Sequence, residues 1–198
     1  MDPNLVINRI LRLARLDTTV FDEVRDDVNE LIPALVVAGV SALLAGLGAT
    51  LFWLFNFDSN YRPEKVWLNN FILGSLFMAA LYFVWILVTY VIIVQLYKAS
   101  ADLQSLIRTM GYAAVPLALS VLMFIPVLYP VIALVSIILL FVMAIYAVQS
   151  VTNADSSQVV IANLAGFAVM ALVLSIVAFN GDRSVIGAGI FSIITEIP

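Results

Sequence analysis

The chain has no cysteine and no histidine. That excludes disulfides, iron–sulfur clusters, haem held by His or Cys, zinc sites built on thiolate or imidazole, and histidine acid–base chemistry. Charge of any kind is scarce. Only 11% of the 198 residues are charged, against about a quarter in an average soluble domain. Basic residues number nine against thirteen acidic ones, for a net charge of -4. With so little positive charge, no nucleic-acid partner is expected.

What the chain has instead is apolar length. Hydrophobic residues make up 64% of it. Residues 32–57, 66–97, 109–154 and 156–181 contain no Asp, Glu, Lys or Arg. A helix needs about 20 apolar residues to cross the ~30 Å hydrocarbon layer. The third run is long enough for two crossings, with Pro126 and Pro130 between them. The expected fold is therefore all-α: a polytopic membrane protein with five transmembrane helices and short amphipathic N-terminal helices. The expected division is an N-terminal arm over 1–31, a transmembrane domain over 32–181 and an apolar tail over 182–198. The spans fall at about 32–56, 67–97, 109–126, 130–151 and 158–180.

Residues 4–16 have the spacing of an amphipathic helix. Asn8, Arg12 and Arg15 share one face, and Ile7, Ile10, Leu11 and Ala14 lie opposite. Such a helix beside a span fits the lipid interface, with Arg9, Arg12 and Arg15 near anionic headgroups. The rival reading pairs these arginines with carboxylates of the next helix. Three arginines inside this stretch also leave no apolar core for a cleavable signal, so the first span is expected to act as the insertion signal. Thr19 and Asp22 then suggest a capping box. A second short helix follows, with Phe21, Val24, Val28 and Leu31 as its apolar stripe. Asp22, Glu23, Asp26, Asp27 and Glu30 form an acidic face, most simply a solvated surface.

In the first span Ala34, Ala38, Ala42 and Gly46 recur every four residues. Small residues in such a row let helix backbones approach, so this is the candidate helix-packing seam. Residues 98–108 form a polar loop or surface helix. Pro116 sits inside the third span, where a missing N–H frees a carbonyl one turn back.

No ionisable residue lies mid-span, where intramembrane chemistry or proton coupling usually leaves one. Ser41, Thr50, Ser75, Thr89, Ser120, Ser136, Asn163 and Ser175 read as hydrogen-bonding glue, and no serine has a base to activate it. No carboxylate pair, P-loop or metal set is present. The expectation is no enzyme, no catalytic, cofactor-binding or metal-binding residues, and no cofactor.

Orientation follows from the basic residues. A cytoplasmic N-terminus puts Arg9, Arg12, Arg15, Arg25, Lys98 and Arg108 inside, against Arg62, Lys65 and Arg183 outside. The expectation is a multi-pass plasma-membrane protein with its C-terminus outside.

A tyrosine, Tyr97, ends the second span. A short polar loop with Arg108 follows, and Gly111-Tyr112-Ala-Ala-Val-Pro116 opens the third span. These features, with the proline-turned hairpin, resemble the Yip domain family, five-span proteins named for binding Ypt/Rab GTPases. The resemblance runs over most of the chain and concentrates in residues 97–151. It implies a five-span helical fold. Eukaryotic members carry a longer N-terminal region with an acidic-Leu-Tyr-Gly-Pro motif, which this chain lacks. GTPase binding is therefore not carried over, and the compact form is more similar to a prokaryotic member. The function expected is a scaffold, assembly or accessory subunit of a membrane complex, or a role in membrane organisation. Its partners would be the bilayer, anionic lipids at the arm, and other membrane proteins. The alternative is a small-solute channel or transporter.

Overall fold

The computed structural model describes residues 2–56, 67–125 and 127–180. The polar loop at 58–65, Pro126 and the tail at 182–198 lie outside these residues. Helix α1 (Pro3–Ala14) and helix α2 (Val20–Asp26) form the arm. A single 3-10 turn, Val28–Glu30, leads into α3 (Leu31–Asn56). Helix α4 (Gly74–Val91) is flanked by wider turns at Trp67–Leu73 and Ile92–Leu96, in which amides reach back five residues. Helix α5 (Leu103–Ala113) continues as a 3-10 helix, Val115–Phe124. Helices α6 (Tyr129–Gln149) and α7 (Ser156–Asn180) complete the chain. Five segments are long and apolar enough to cross a membrane: Val28–Phe55, Phe71–Leu96, Leu103–Phe124, Tyr129–Gln149 and Ser156–Leu174.

The third crossing differs most from the sequence reading. It starts at Leu103, within the stretch read as a loop or surface helix, because Asp102 caps it. The Asp102 carboxylate accepts hydrogen bonds from the Ser105 amide and hydroxyl, both at 2.8 Å. Proline 116 cannot donate to the turn before it, and the chain tightens into ten residues of 3-10 helix. Runs of that geometry beyond three or four residues are uncommon. Its rise is about 2.0 Å per residue against 1.5 Å in an α-helix. The tighter winding thus lets a 22-residue segment cover the distance of a longer α-helix.

This third crossing is the most buried of the five. Helix α3 lies along it, α4 pairs with α7, and α6 joins the two groups. Two glycines set the closest approaches. A Cβ on Gly48 would strike the Ser120 carbonyl and the Val121 backbone, and one on Gly111 would strike the Ala34 backbone. Ala34, Ala38, Ala42 and Gly46 are all buried, and so are Ala45, Gly48 and Ala49. The buried face of α3 is thus wider than one row, because α3 touches both the second and third crossings.

Between α4, α6 and α7, Trp85 stacks on Phe141 at 6.4 Å and meets Phe167 edge-on at 5.3 Å. Its indole N–H donates to Asn163 Oδ1 at 3.0 Å. A polar group in apolar surroundings needs such a partner, which accounts for an asparagine inside the last crossing.

The arm, the loop after Leu96 and the turn after Gln149 gather at one end. Ser100 donates to Asn153 Oδ1 from its amide and hydroxyl, and Arg25 Nη1 donates to the Ser150 carbonyl at 2.7 Å. The Phe52–Tyr129 and Phe55–Phe124 ring contacts lie at the other end. Single cysteines at Ser100 and Val127, in a chain with none of its own, should therefore label from opposite sides of the membrane. Labelling of both from one side would contradict the crossing pattern. Gly48→Ala should cost about 1–3 kcal/mol through overpacking. Gly39→Ala, where a Cβ meets nothing within 4 Å, should be neutral or mildly stabilising. Thermal unfolding in detergent compares the two, and equal losses would contradict the assigned contacts.

Candidate functional site

The polar groups that a membrane protein must account for converge where the arm meets the bundle. Helix α1 starts with Asp2, whose carboxylate accepts from the Asn4 amide at 2.9 Å, and Pro3 occupies its first position. It ends in a Schellman turn. The Leu16 amide donates to the Leu13 carbonyl and the Asp17 amide to the Arg12 carbonyl. This places Leu16 at φ 62°, where glycine is usual.

The helix turns Val6, Arg9 and Leu13 inward, while Leu5, Ile7 and Leu11 are exposed. Its exposed side thus mixes this apolar strip with Asn4, Asn8 and Arg15, the composition of a helix at a lipid interface. Its most deeply placed charge, Arg9, is only 6% exposed. Arg9 Nη1 lies 2.5 Å from Glu30 Oε1, an ionic contact off the hydrogen-bond angle. Longer approaches reach Glu23 (3.7 Å) and Asp27 (4.0 Å). The second oxygen of Glu30 accepts from the Tyr112 hydroxyl at 2.6 Å. Arginine, glutamate and tyrosine thereby join α1, the start of the first crossing and the third crossing in one buried contact.

Arg12 forms a second, outer layer. It donates to Asp17 Oδ2 (2.8 Å), Glu23 Oε1 (2.7 Å) and Thr19 Oγ1 (3.0 Å). The Thr19 hydroxyl donates to Asp17 Oδ1 and accepts from Arg12, and it accepts no hydrogen bond from an α2 amide. The expected capping box does not form: Thr19 has helical backbone angles, φ -63° and ψ -19°, not the extended ones that aim a cap oxygen at the helix amides. Thr19 and then Arg12 hold the Asp17 carboxyl below its ordinary value of 3.8. Arg25 does the same to Asp26. Behind them Arg108, 5% exposed, donates to the Arg25 carbonyl (2.6 Å) and to Ser105 Oγ (2.8 Å). A cation there complements the C-terminal end of α2.

The acidic face read as solvated is thus partly a counter-surface for the arm. Arg9 and Arg12 match the carboxylate-paired reading of the arm, and Arg15 is exposed. The residue that sequence reasoning missed is Glu30. Its signal was position: a carboxylate one residue before an uncharged span needs a partner close by. The motif residues divide the work. Gly111 permits contact with α3, Tyr112 reaches Glu30, and Pro116 converts the crossing to 3-10 geometry.

The Yip1 domain model matches residues 17–179. The chain belongs to the Yip1 domain family. Among curated proteins and among solved structures nothing matches it. The Yip1 match takes in all five crossings and both bundle-side members of the buried contact, Glu30 and Tyr112. Helix α1, with Arg9, precedes it.

Tyr112→Phe removes one hydrogen bond to a buried carboxylate and should cost about 1–3 kcal/mol of stability. Glu30→Gln removes the nearest and most buried counter-charge of Arg9 and should cost more; thermal unfolding of both variants checks the order. The outer layer also predicts a pH dependence. Carboxyls held below their ordinary value stabilise in full above it, and that stability is lost as pH falls through the folded value. Hydrogen exchange at residues 18–26 should therefore stay slow from pH 7 to 5 and rise below about pH 3.8. A rise already complete at pH 5 would contradict the pairing.

Proposed function

We propose that the protein is a non-enzymatic scaffold, assembly or accessory subunit of a membrane complex. The observation that carries this reading is the use made of its buried ionisable groups. Arg9, Glu30, Tyr112 and Arg108 are all spent on fixing the arm to the bundle. None is left as a base, a nucleophile or an ion ligand in a path. A fixed arm gives the membrane face a rigid, charged relief, as an assembly surface needs, and the partners are other membrane proteins. The basic asymmetry supports a cytoplasmic arm in the plasma membrane.

The channel or transporter reading has one observation in its favour. A cavity of about 240 Å³ lies between the first three crossings, lined by residues such as Leu35, Gly39, Met78 and Phe83. Among the described residues its only side-chain polar group, the Tyr82 hydroxyl, already donates to the Met110 carbonyl at 2.8 Å. Such a lining offers nothing to replace the hydration of a polar solute.

Affinity purification from native membranes in polymer nanodiscs, with quantitative mass spectrometry, tests the reading. One or a few membrane proteins should be retained at constant ratio through successive steps, and a chain lacking residues 2–16 should lose them. Uptake of a neutral solute by purified protein in liposomes, without any retained partner, would overturn it in favour of a channel.

A further inference from the structure

Beneath the end of α1 a groove of about 330 Å³ runs along the third crossing. That volume is in the range of small-molecule sites. Buried Leu13, Tyr112, Pro116 and Met143 form its floor, and exposed Leu119 and Leu122 flank it. It exists because Pro116 converts the crossing to a slimmer 3-10 helix at this depth. Two residues at the end of α1 stand out beside it. Leu16 lines it while 61% exposed and held at φ 62°, a conformation that non-glycine residues adopt uncommonly. Arg15 stands between the lining residues Ala14 and Leu16. It is exposed, and no carboxylate among the described residues pairs with it.

We propose that this groove holds an acyl chain of an anionic phospholipid, with its headgroup phosphate on Arg15. The chemistry selects this occupant. The one hydroxyl in the lining, that of Tyr112, is committed to Glu30. A peptide laid here would leave its amides without partners, whereas an acyl chain has none to satisfy. The exposed guanidinium of Arg15, next in the chain to the lining residues Ala14 and Leu16, matches a phosphate in charge and fork geometry. The strained Leu16 gains a role as the lip that closes over the first methylenes. The proposal does not depend on the scaffold reading.

The test uses the full chain in nanodiscs of equal parts phosphatidylcholine and phosphatidylglycerol. One lipid at a time carries a photoactivatable diazirine in its acyl chain. Labelled phosphatidylglycerol should concentrate on residues 112–122 and 139–143. Arg15→Gln should lower that labelling about fivefold, the size of one basic residue's attraction to anionic lipid. Labelling by phosphatidylcholine, whose choline cation offsets its phosphate, should be weaker and less sensitive to Arg15. Leu16→Gly, which relieves the backbone and so preserves the fold, should lower labelling by both lipids. Ala118→Trp should fill the groove and abolish it, where thermal unfolding shows that variant folded. Labelling no stronger in the groove than at the outward residues Leu134 and Ile138 overturns the proposal. So does groove labelling that ignores Arg15, or a polypeptide that crosslinks to Leu119 in native membranes while lipid does not.

Discussion

The structure depends on one buried charge and what neutralises it. An arginine taken from water into a low-dielectric site costs several kcal/mol unless a carboxylate and further hydrogen bonds meet it. Arg9 has Glu30 at 2.5 Å, and Glu30 is held in turn by Tyr112. Because these groups come from an N-terminal helix and two different crossings, satisfying the charge fixes how the arm, the first crossing and the third crossing sit together. Arg12, Asp17, Thr19 and Glu23 then close the contact from the water side.

A second constraint acts deeper. Helices in lipid gain little from the hydrophobic effect and associate by close packing. Glycines therefore matter where backbones touch, at Gly48 against the 3-10 helix and at Gly111 against Ala34. The stretch from Gly111 to Pro116 serves both constraints within six residues. It brings α3 close, supplies the hydroxyl for Glu30, and changes the helix type so that an apolar groove opens under the arm.

The sequence carried the large-scale picture because that picture rests on length and charge. Uncharged runs of 26 to 46 residues have few alternatives to crossing a bilayer, and the Tyr-loop-Gly-Tyr-Pro pattern pointed to the family that the Yip1 match bears out. The site was harder to see. Periodicity placed Arg9 on a helix but could not tell whether its side chain met lipid phosphate or protein carboxylate, since both are anionic. Glu30 looked like one more member of a solvated acidic face. Only the three-dimensional path, which sets Tyr112 beside it across 82 residues of chain, separates it from Asp22 or Asp26. The 3-10 stretch was invisible for a related reason. Pro116 announces a break in the helix, and packing against α3 decides what replaces it.

The central claim is that protein contacts, not lipid charge, hold the arm in place. Hydrogen exchange over residues 4–14 in neutral and in anionic nanodiscs tests it most directly, on the unaltered chain and on Glu30→Gln. The account predicts equal protection in the two lipids and a loss of protection in Glu30→Gln in both. Protection that appears only in anionic lipid and survives Glu30→Gln would contradict it.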